Sequence, residues 1–255
     1  MTGRLQGKVA VVTGAGGGIG LATVRRFAAE GARVVCADLD TETGAKAAAE
    51  VDGLFVAADV ADESQVQALF QRAVDEFGGL HVAFNNAGIS PADDDSILTT
   101  GMDAWERVQR VNLTSVYLCC KYAIEHMCAG GGGSIINTAS FVAVMGSATS
   151  QISYTASKGG VLALSRELGV QFARDGVRVN ALCPGPINTP LLQELFAKDP
   201  ERAARRMVHI PMGRFGEADE IAAAVTFLAS DDASFITAST FLVDGGISAA
   251  YVTPL

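Results

Sequence analysis

Short apolar segments alternate along the chain with longer segments in which apolar residues recur at helical spacing. The short segments have the length and continuous hydrophobicity of strands buried on both faces of a sheet. They cover 8–13, 33–37, 54–58, 80–84, 134–138, 177–182 and 241–243. Helical spacing predicts one helix from the glycines near 18–20 to Gly31, and others at 63–77, 105–127, 153 to about 174, and 217–229. This alternation, without an internal linker or repeat, predicts a single α/β domain over 1–255, with about seven parallel strands doubly wound between helices.

The composition narrows the class of protein. A formal net charge of −9 disfavours nucleic acid or an anionic membrane as a partner, and 49% hydrophobic residues suffice for one core. No apolar stretch approaches membrane-spanning length, and the run at 9–12 is too short for the core of a signal peptide. The five cysteines form no C-x-x-C pair, which predicts reduced, structural thiols. We therefore expect a soluble, cytoplasmic protein whose partners are small molecules or other proteins.

A glycine cluster, TGAGGGIG, directly follows the first predicted strand. Gly14, Gly18 and Gly20, with Ile19 between the last two, open the next helix in a G-x-x-x-G-x-G spacing. In a Rossmann nucleotide-binding fold, such glycines let backbone amides approach a pyrophosphate at the positive end of the helix. A glycine-rich turn without a ligand is the second interpretation of the same residues.

Acidic residues end the second and third predicted strands. Asp38 lies 20 positions after Gly18, where a carboxylate accepts hydrogen bonds from the adenosine ribose and repels a 2′-phosphate. This favours NAD(H) over NADP(H), although a solvated aspartate at a strand end fits the same position. Asp59 could accept from the adenine amino group or cap the helix that follows it.

The segment from Ser140 to Lys158 carries the strongest candidate chemistry. Tyr154 and Lys158 lie one helical turn apart, and an ammonium beside a phenol lowers the phenol pKa from about 10. Tyr154 is therefore a candidate general acid and base, and Ser140 could hydrogen-bond the same reacting oxygen. Taken alone, the Tyr/Lys pair is more often an ordinary pair on an amphipathic helix, so the rest of the chain must support the assignment.

Other candidate residues also fall at predicted strand ends, which meet at one edge of a parallel sheet. They include Asn85 to Gly88, whose amide side chains could brace neighbouring strands, and Pro184-Gly185-Pro186. Asn112 lies inside a predicted helix although asparagine is a mediocre helix former, which suggests either a special role or a satisfied core position.

Together, these motifs resemble the short-chain dehydrogenase/reductase family over essentially the whole chain, in its alcohol dehydrogenase-like and 3-oxoacyl reductase-like branch. The resemblance rests on TGAGGGIG, Asp59, the NNAG of 85–88, Asn112, Ser140, the YTASK of 154–158, Asn180 and the PGPINT of 184–189. It implies a catalytic tetrad of Asn112, Ser140, Tyr154 and Lys158, with hydride transfer between a nicotinamide and a carbinol or carbonyl carbon. Ser140 and Tyr154 are 14 positions apart, about one more than the family pattern predicts.

The resemblance also implies which residues contact the cofactor. Ile187 and Thr189 would contact the nicotinamide carboxamide, and Asn112 would help hold a water that links Lys158 to solvent. The expected cofactor-binding residues are Gly14, Gly18, Ile19, Gly20, Asp38, Leu39, Asp59, Val60, Asn86, Ala87, Gly88, Tyr154, Lys158, Pro184, Gly185, Ile187 and Thr189. No metal is expected, because the three histidines show no ligand spacing.

The irregular segment 187–212 is expected to form a lid over the substrate. Apolar residues at 142, 144, 145, 191, 192 and 195 favour a hydrophobic secondary alcohol or ketone, whereas Lys198, Arg205 and Arg206 could receive a phosphopantetheine carrier. A 3-oxoacyl-thioester reductase, a sugar or polyol dehydrogenase and a steroid or terpenoid alcohol dehydrogenase therefore stay open. The alternative from a different class is a non-catalytic NAD-binding sensor or scaffold. The family resemblance further suggests a homotetramer built on helices 105–127 and 153–174, and the apolar tail 247–255 suggests docking against another subunit.

Overall fold

The protein forms a twisted sheet of parallel strands with helices on both faces. A computed structural model describes residues 3–147, 149–189, 192–193, 201 and 207–251. Within them the sheet has seven strands in the order β3-β2-β1-β4-β5-β6-β7, all paired in parallel. The strands are β1 (Val9–Thr13), β2 (Arg33–Asp38), β3 (Leu54–Ala57), β4 (Val82–Asn85), β5 (Gly133–Thr138), β6 (Val177–Pro184) and β7 (Thr240–Val243).

The strand order reverses between β1 and β4, so a crevice opens beyond the carboxyl ends of these two strands, where doubly wound folds bind ligands. The helices are α1 (Gly18–Ala29), α2 (Thr41–Glu50), α3 (Glu63–Phe77), α4 (Met102–Gln109), α5 (Ser115–Gly130), α6 (Ile152–Gln171) and α7 (Ala218–Ala229). One core cluster buries α3, α5 and α6 against one face of the sheet, and a second buries α1, α2 and α7 against the other.

The structure confirms the predicted doubly wound α/β fold and corrects details within it. The helix predicted at 105–127 is interrupted by a π-helical turn, Arg110–Thr114, which contains the buried Asn112. A π turn adds one residue to a helix, and a pattern of 3.6-residue spacing does not report such an insertion. The alanine-rich helix α2 is an additional element, and the side chain of Asp40 caps it.

Part of the predicted lid and part of the predicted tail lie outside the described residues. Leu191, Leu195, Lys198, Arg205 and Arg206 lie outside the described residues, as do 252–255 of the tail. At the start of the lid, Ile187 forms a parallel bridge with Gly216. All five cysteines are free thiols, and four of them are buried. Within the described ranges, no helix has the length and hydrophobicity needed to cross a membrane.

Candidate active site

The glycine turn between β1 and α1 has the shape of an anion-binding site. Gly14 and Gly18 have positive φ angles of 65° and 50°, which side-chain-bearing residues rarely adopt. A Cβ at Gly20 would overlap the carbonyl oxygen of Gly14. Gly17, at the N-cap of α1, makes no side-chain cap hydrogen bond, and a Cβ there would meet nothing within 4 Å. The first N–H groups of α1 lack intrahelical partners and no N-cap side chain covers them, so this turn fits the pyrophosphate of a dinucleotide.

Asp38, at the end of β2, is held against this turn. Its Oδ2 accepts a hydrogen bond from the backbone N–H of Gly16 (2.8 Å), and its Oδ1 accepts from that of Asp40 (3.0 Å). Gly16 is a contact that the sequence did not predict, because the G-x-x-x-G-x-G spacing of Gly14, Gly18 and Gly20 gives no role to this position. A Cβ there would lie 3.1 Å from Asp38 Oδ2 and closer still to Thr43. Asp38 is thus a partly exposed, oriented carboxylate beside the glycine turn, and the exposed side chain of Leu39 follows it.

Asp59 is not the cap of α3. That role belongs to Asp62, whose Oδ1 accepts from the backbone N–H of Gln65 at 3.1 Å. Asp59 accepts instead from the N–H of Ala61 at 2.9 Å. A cap bonds the second or third amide of its own helix, and Asp62 stands immediately before α3. The contact of Asp59 with adenine stays a prediction.

The amides at the end of β4 brace the sheet on both sides, as expected from the sequence. Asn86 Nδ2 donates to the carbonyl oxygen of Thr13 (3.1 Å), and Thr13 Oγ1 accepts from the N–H groups of Asn86 (3.0 Å) and Ala87 (3.1 Å). Asn85 Nδ2 donates to Asn137 Oδ1 on β5 (2.8 Å). Thr13 is a second residue that the sequence analysis missed, since a threonine at a strand end has no distinctive pattern.

Asn112 is fully buried in the π turn, and its amide is paired with a single backbone segment. Its Oδ1 accepts from the N–H of Ile89 (2.7 Å), and its Nδ2 donates to the carbonyl of Ile89 (2.8 Å) and to Ser157 Oγ (3.3 Å). A Cβ at Gly88 would lie 3.3 Å from Asn112 Oδ1 and 3.5 Å from Lys158 Nζ. Asn112 therefore fixes the segment after β4 beside the lysine, and Gly88 leaves room for it.

Ser140, Tyr154 and Lys158 come together at the carboxyl ends of β5 and β6. The hydroxyl group of Ser140 lies close enough to that of Tyr154 to lower the pKa of the phenol. Lys158 Nζ donates to the carbonyl oxygen of Thr138 (2.7 Å) and lies 5.6 Å from the centroid of the Tyr154 ring. The extra residue between Ser140 and Tyr154 does not prevent this contact. The segment between them contains a short 3-10 turn, Phe141–Ala143, with Ser140 at its N-cap.

Burial shifts the pKa values of Tyr154 and Lys158, and the shift of Tyr154 is opposite to the one expected from the sequence. Desolvation raises the pKa of Tyr154 above its ordinary value, and the hydrogen bond from Ser140 opposes that rise in pKa. Desolvation also lowers the pKa of Lys158 to about 8. The expectation that Lys158 holds the pKa of Tyr154 below 10 is therefore wrong for the protein alone, because the cost of burying a phenolate sets the direction of the shift and Lys158 is not among its causes. A protonated phenol beside a serine hydroxyl can donate a proton to an oxygen held by that serine.

The remaining predicted residues lie around the same edge. Pro184 ends β6, and Gly185 is packed so tightly that a Cβ would lie 2.7 Å from the Cα of Asp244. The methyl group of Thr189 is 3.6 Å from the position of a Cβ at Gly18, so the start of the predicted lid adjoins the glycine turn. Within the described residues, no group of three or more His, Cys, Asp or Glu is placed to hold a metal ion.

Comparisons with known proteins identify the family to which this fold and site belong. A family profile described as enoyl-(acyl carrier protein) reductase matches residues 14–248, which include the glycine turn and the Tyr/Lys pair. The chain belongs to the short-chain dehydrogenase/reductase family. As a member, it is an oxidoreductase that acts on CH–OH groups with a nicotinamide cofactor.

Curated relatives of this short-chain dehydrogenase/reductase match over nearly the full length. The cis-4-hydroxycyclohexanecarboxylate dehydrogenase of Sinomonas cyclohexanicum is 44% identical over 95% of this chain and 97% of the relative. The cyclohexanol dehydrogenase of Acinetobacter sp. (strain SE19) is 39% identical over 96% of each chain. The crystal structure of levodione reductase superposes with a TM-score of 0.91 at 37% identity, covering 97% of this chain and 100% of the other.

Proposed function

We propose that this short-chain dehydrogenase/reductase interconverts an apolar, ring-borne secondary alcohol and its ketone with NAD(H), and that Tyr154 moves the proton. The observation that carries the proposal is the meeting of Ser140, Tyr154 and Lys158 at the strand ends, beside the open glycine turn. When bound, the nicotinamide supplies or takes up the hydride. The glycine turn would hold the pyrophosphate, and Asp38 would hold the adenosine ribose.

Within this proposal each residue of the group has a separate task. In ketone reduction, the phenol of Tyr154 donates its proton to the carbonyl oxygen, which the Ser140 hydroxyl holds in place. In alcohol oxidation the proton moves in the opposite direction. Lys158 stays anchored on the carbonyl of Thr138 and places a positive charge beside the phenol ring while it is protonated. Asn112 holds the segment at Ile89 that borders this lysine.

The preference for NAD(H) rests on the carboxylate of Asp38. Its two oxygens are oriented by the amides of Gly16 and Asp40, so the negative charge is fixed beside the glycine turn. A fixed carboxylate can accept from ribose hydroxyls, and it repels the additional charge of a 2′-phosphate.

The substrate class rests on apolar side chains that follow Ser140 and on the relatives. Val142 is buried, and Val144 and Met145 are partly exposed just after the serine. Two of the relatives are named for six-membered rings that carry a hydroxyl group. We therefore favour cyclohexanol, cyclohexanone or a derivative with one ring substituent over a carrier-bound thioester.

The test is a panel of substrates followed through the absorbance of NADH. The panel contains cyclohexanol, 4-substituted cyclohexanols and the matching ketones, a linear secondary alcohol, and a 3-oxoacyl thioester, each tested with NAD(H) and NADP(H). We expect the highest kcat/KM with a ring substrate and NAD(H). Preference for the thioester would favour the 3-oxoacyl reductase alternative, and preference for NADPH would show that Asp38 does not set the cofactor.

Tyr154→Phe tests the proton transfer itself. The variant keeps the ring but has no hydroxyl proton, so we expect kcat to fall by about 10²–10⁴-fold while NADH binding, followed by fluorescence, is retained. Tyr117→Phe, at a partly exposed position on α5, is the matched control and should keep wild-type turnover. Full activity in Tyr154→Phe would contradict the mechanism. NADH binding by the wild-type protein without turnover of any substrate would favour a sensor or scaffold.

The proposal includes a cytoplasmic homotetramer in which α5 and α6 pack between subunits. Apolar side chains exposed on these helices, Tyr117 on α5 and Val170 on α6, are compatible with that arrangement. Light scattering should give the mass of four chains, and a monomer mass would contradict this part of the proposal.

A further inference from the structure

The helix that carries Tyr154 has no N-terminal cap of its own. Gln151 occupies the N-cap position of α6 and makes no side-chain cap hydrogen bond. The missing acceptor comes from Asp94, in the loop after β4. Its Oδ1 accepts from the backbone N–H of Ser153 (2.9 Å), and its Oδ2 accepts from that of Tyr154 itself (2.7 Å). One buried carboxylate, 60 positions away in sequence from Tyr154, thus satisfies two first-turn amides at the positive end of α6.

The loop that presents Asp94 is fixed on both sides. Both oxygens of Asp93 accept hydrogen bonds from Arg107 on α4, at 2.7 and 2.8 Å. Asp95 donates its N–H to Thr100 Oγ1 (2.9 Å), and its carbonyl accepts the N–H of Ile152, the first residue of α6 (3.2 Å). The loop is therefore hydrogen-bonded to both α4 and α6.

The first turn of α6 is also tied directly to α4. The buried Ser153 donates its hydroxyl to the carbonyl of Trp105 (3.1 Å), and Gln109 Nε2 donates to the carbonyl of Ser153 (3.0 Å). These bonds hold the chain next to Tyr154 in place. The carboxylate of Asp94 accepts from the backbone N–H of Tyr154 itself, and the Ser157 hydroxyl, on the same helix, donates to the carbonyl oxygen of Tyr154 (2.7 Å).

We propose that Asp94 is a positioning residue that sets the tyrosine hydroxyl against Ser140. The inference rests on the proposed role of Tyr154 in proton transfer. Lys158 is anchored separately, because its ammonium is bonded to Thr138 on β5. Loss of the Asp94 carboxylate therefore shifts the first turn of α6, and with it the phenol, while the lysine and the glycine turn keep their own supports. A displacement of this kind weakens the proton transfer step more than cofactor binding.

The experiment compares Asp94→Ala and Asp94→Asn with Asp103→Asn. The amide of Asp94→Asn offers one acceptor oxygen for two N–H groups, and alanine offers none. Asp103 is exposed in the first turn of α4, so its replacement removes the same charge without touching α6. We expect kcat per NADH-binding site to fall by about 10–100-fold in Asp94→Ala and by less in Asp94→Asn, with the Kd for NADH within about twofold of wild type. Asp103→Asn should match wild type.

A solvent deuterium isotope effect separates positioning from mere loss of stability. When proton transfer becomes slower because the phenol is misplaced, the isotope effect on kcat should increase in both Asp94 variants. A cap that only stabilises the fold would lower the number of NADH-binding sites and leave kcat per site and the isotope effect unchanged, which would overturn the inference. If Tyr154→Phe retains turnover, the proposed function fails first. If Tyr154→Phe is inactive and the Asp94 variants turn over like wild type, only the positioning role fails.

Discussion

Replacing Lys158 by methionine tests whether the buried ammonium group lowers the free energy of unfolding of the protein. Lys158 is 3% exposed, and burial lowers its pKa from 10.5 to about 8. At about 1.4 kcal/mol per pKa unit, this shift means that the charged lysine costs the fold about 3 kcal/mol at pH 7. Methionine has a similar length and no charge, but it leaves the Thr138 carbonyl without its 2.7 Å partner, which costs about 1–2 kcal/mol. The variant should therefore be more stable than wild type at pH 7 by about 1–2 kcal/mol.

The advantage of methionine should disappear at high pH. The unfolded lysine keeps its proton up to 10.5, whereas the folded lysine loses it near pH 8, so the penalty is complete below pH 8 and fades between these two values. At pH 10 less than about 1 kcal/mol of the penalty remains, and the lost hydrogen bond makes the variant equal to wild type or less stable.

The measurement is urea unfolding at pH 7 and pH 10, followed through the fluorescence of Trp105, the only tryptophan of the chain. Protein concentration is kept constant, because assembly would change the apparent stability. Oxidoreductase activity of the variant should be lost at both pH values. Destabilisation by the same amount at pH 7 and pH 10 would refute the reasoning, since it would show that the fold does not penalise the buried ammonium.

Two further substitutions test the framework of the site. Gly20→Ala places a methyl group against the Gly14 carbonyl, so the glycine turn must open. We expect the affinity for NADH, measured by fluorescence titration, to fall at least about tenfold. Unchanged affinity would contradict the tight-turn geometry. Asn137→Ala removes the acceptor of the Asn85 hydrogen bond and the donor of the Ser165 hydrogen bond within the core. Urea unfolding should show that the free energy of unfolding falls by about 2–4 kcal/mol. A decrease below about 1 kcal/mol would mean that these bonds do not brace β4 and β5.

The spacing of apolar residues along the chain was sufficient to predict most strands and helices of the fold. Continuous apolar runs predicted all seven strands of the described sheet to within a few residues, and helical spacing predicted α3 with both of its bounds. The reason is that parallel strands buried on both faces, and helices with one buried face, have distinct periods along the chain. The same strand ends carried most of the candidate site, because parallel topology brings carboxyl ends to one edge.

Contacts between distant segments were decided only by the tertiary structure. Nothing in the run of three aspartates at 93–95 distinguishes Asp94, which is buried beneath α6, from its exposed neighbours. The π turn at Asn112 was equally hidden, since one additional residue in a helix leaves the apolar pattern on either side intact.

For the Tyr154/Lys158 pair, the sequence determined the proximity of the two groups and the tertiary structure determined their ionisation. The spacing of Tyr154 and Lys158 determined that they lie on one face of a helix, and it suggested a phenol with a lowered pKa. The sheet and the loops around that face bury Lys158 and partly bury Tyr154, and this desolvation raises the pKa of the phenol and lowers that of the ammonium. Sequence thus determined which groups meet, whereas the exclusion of solvent around them, which only the folded chain defines, decided the direction in which the pKa of each one shifts.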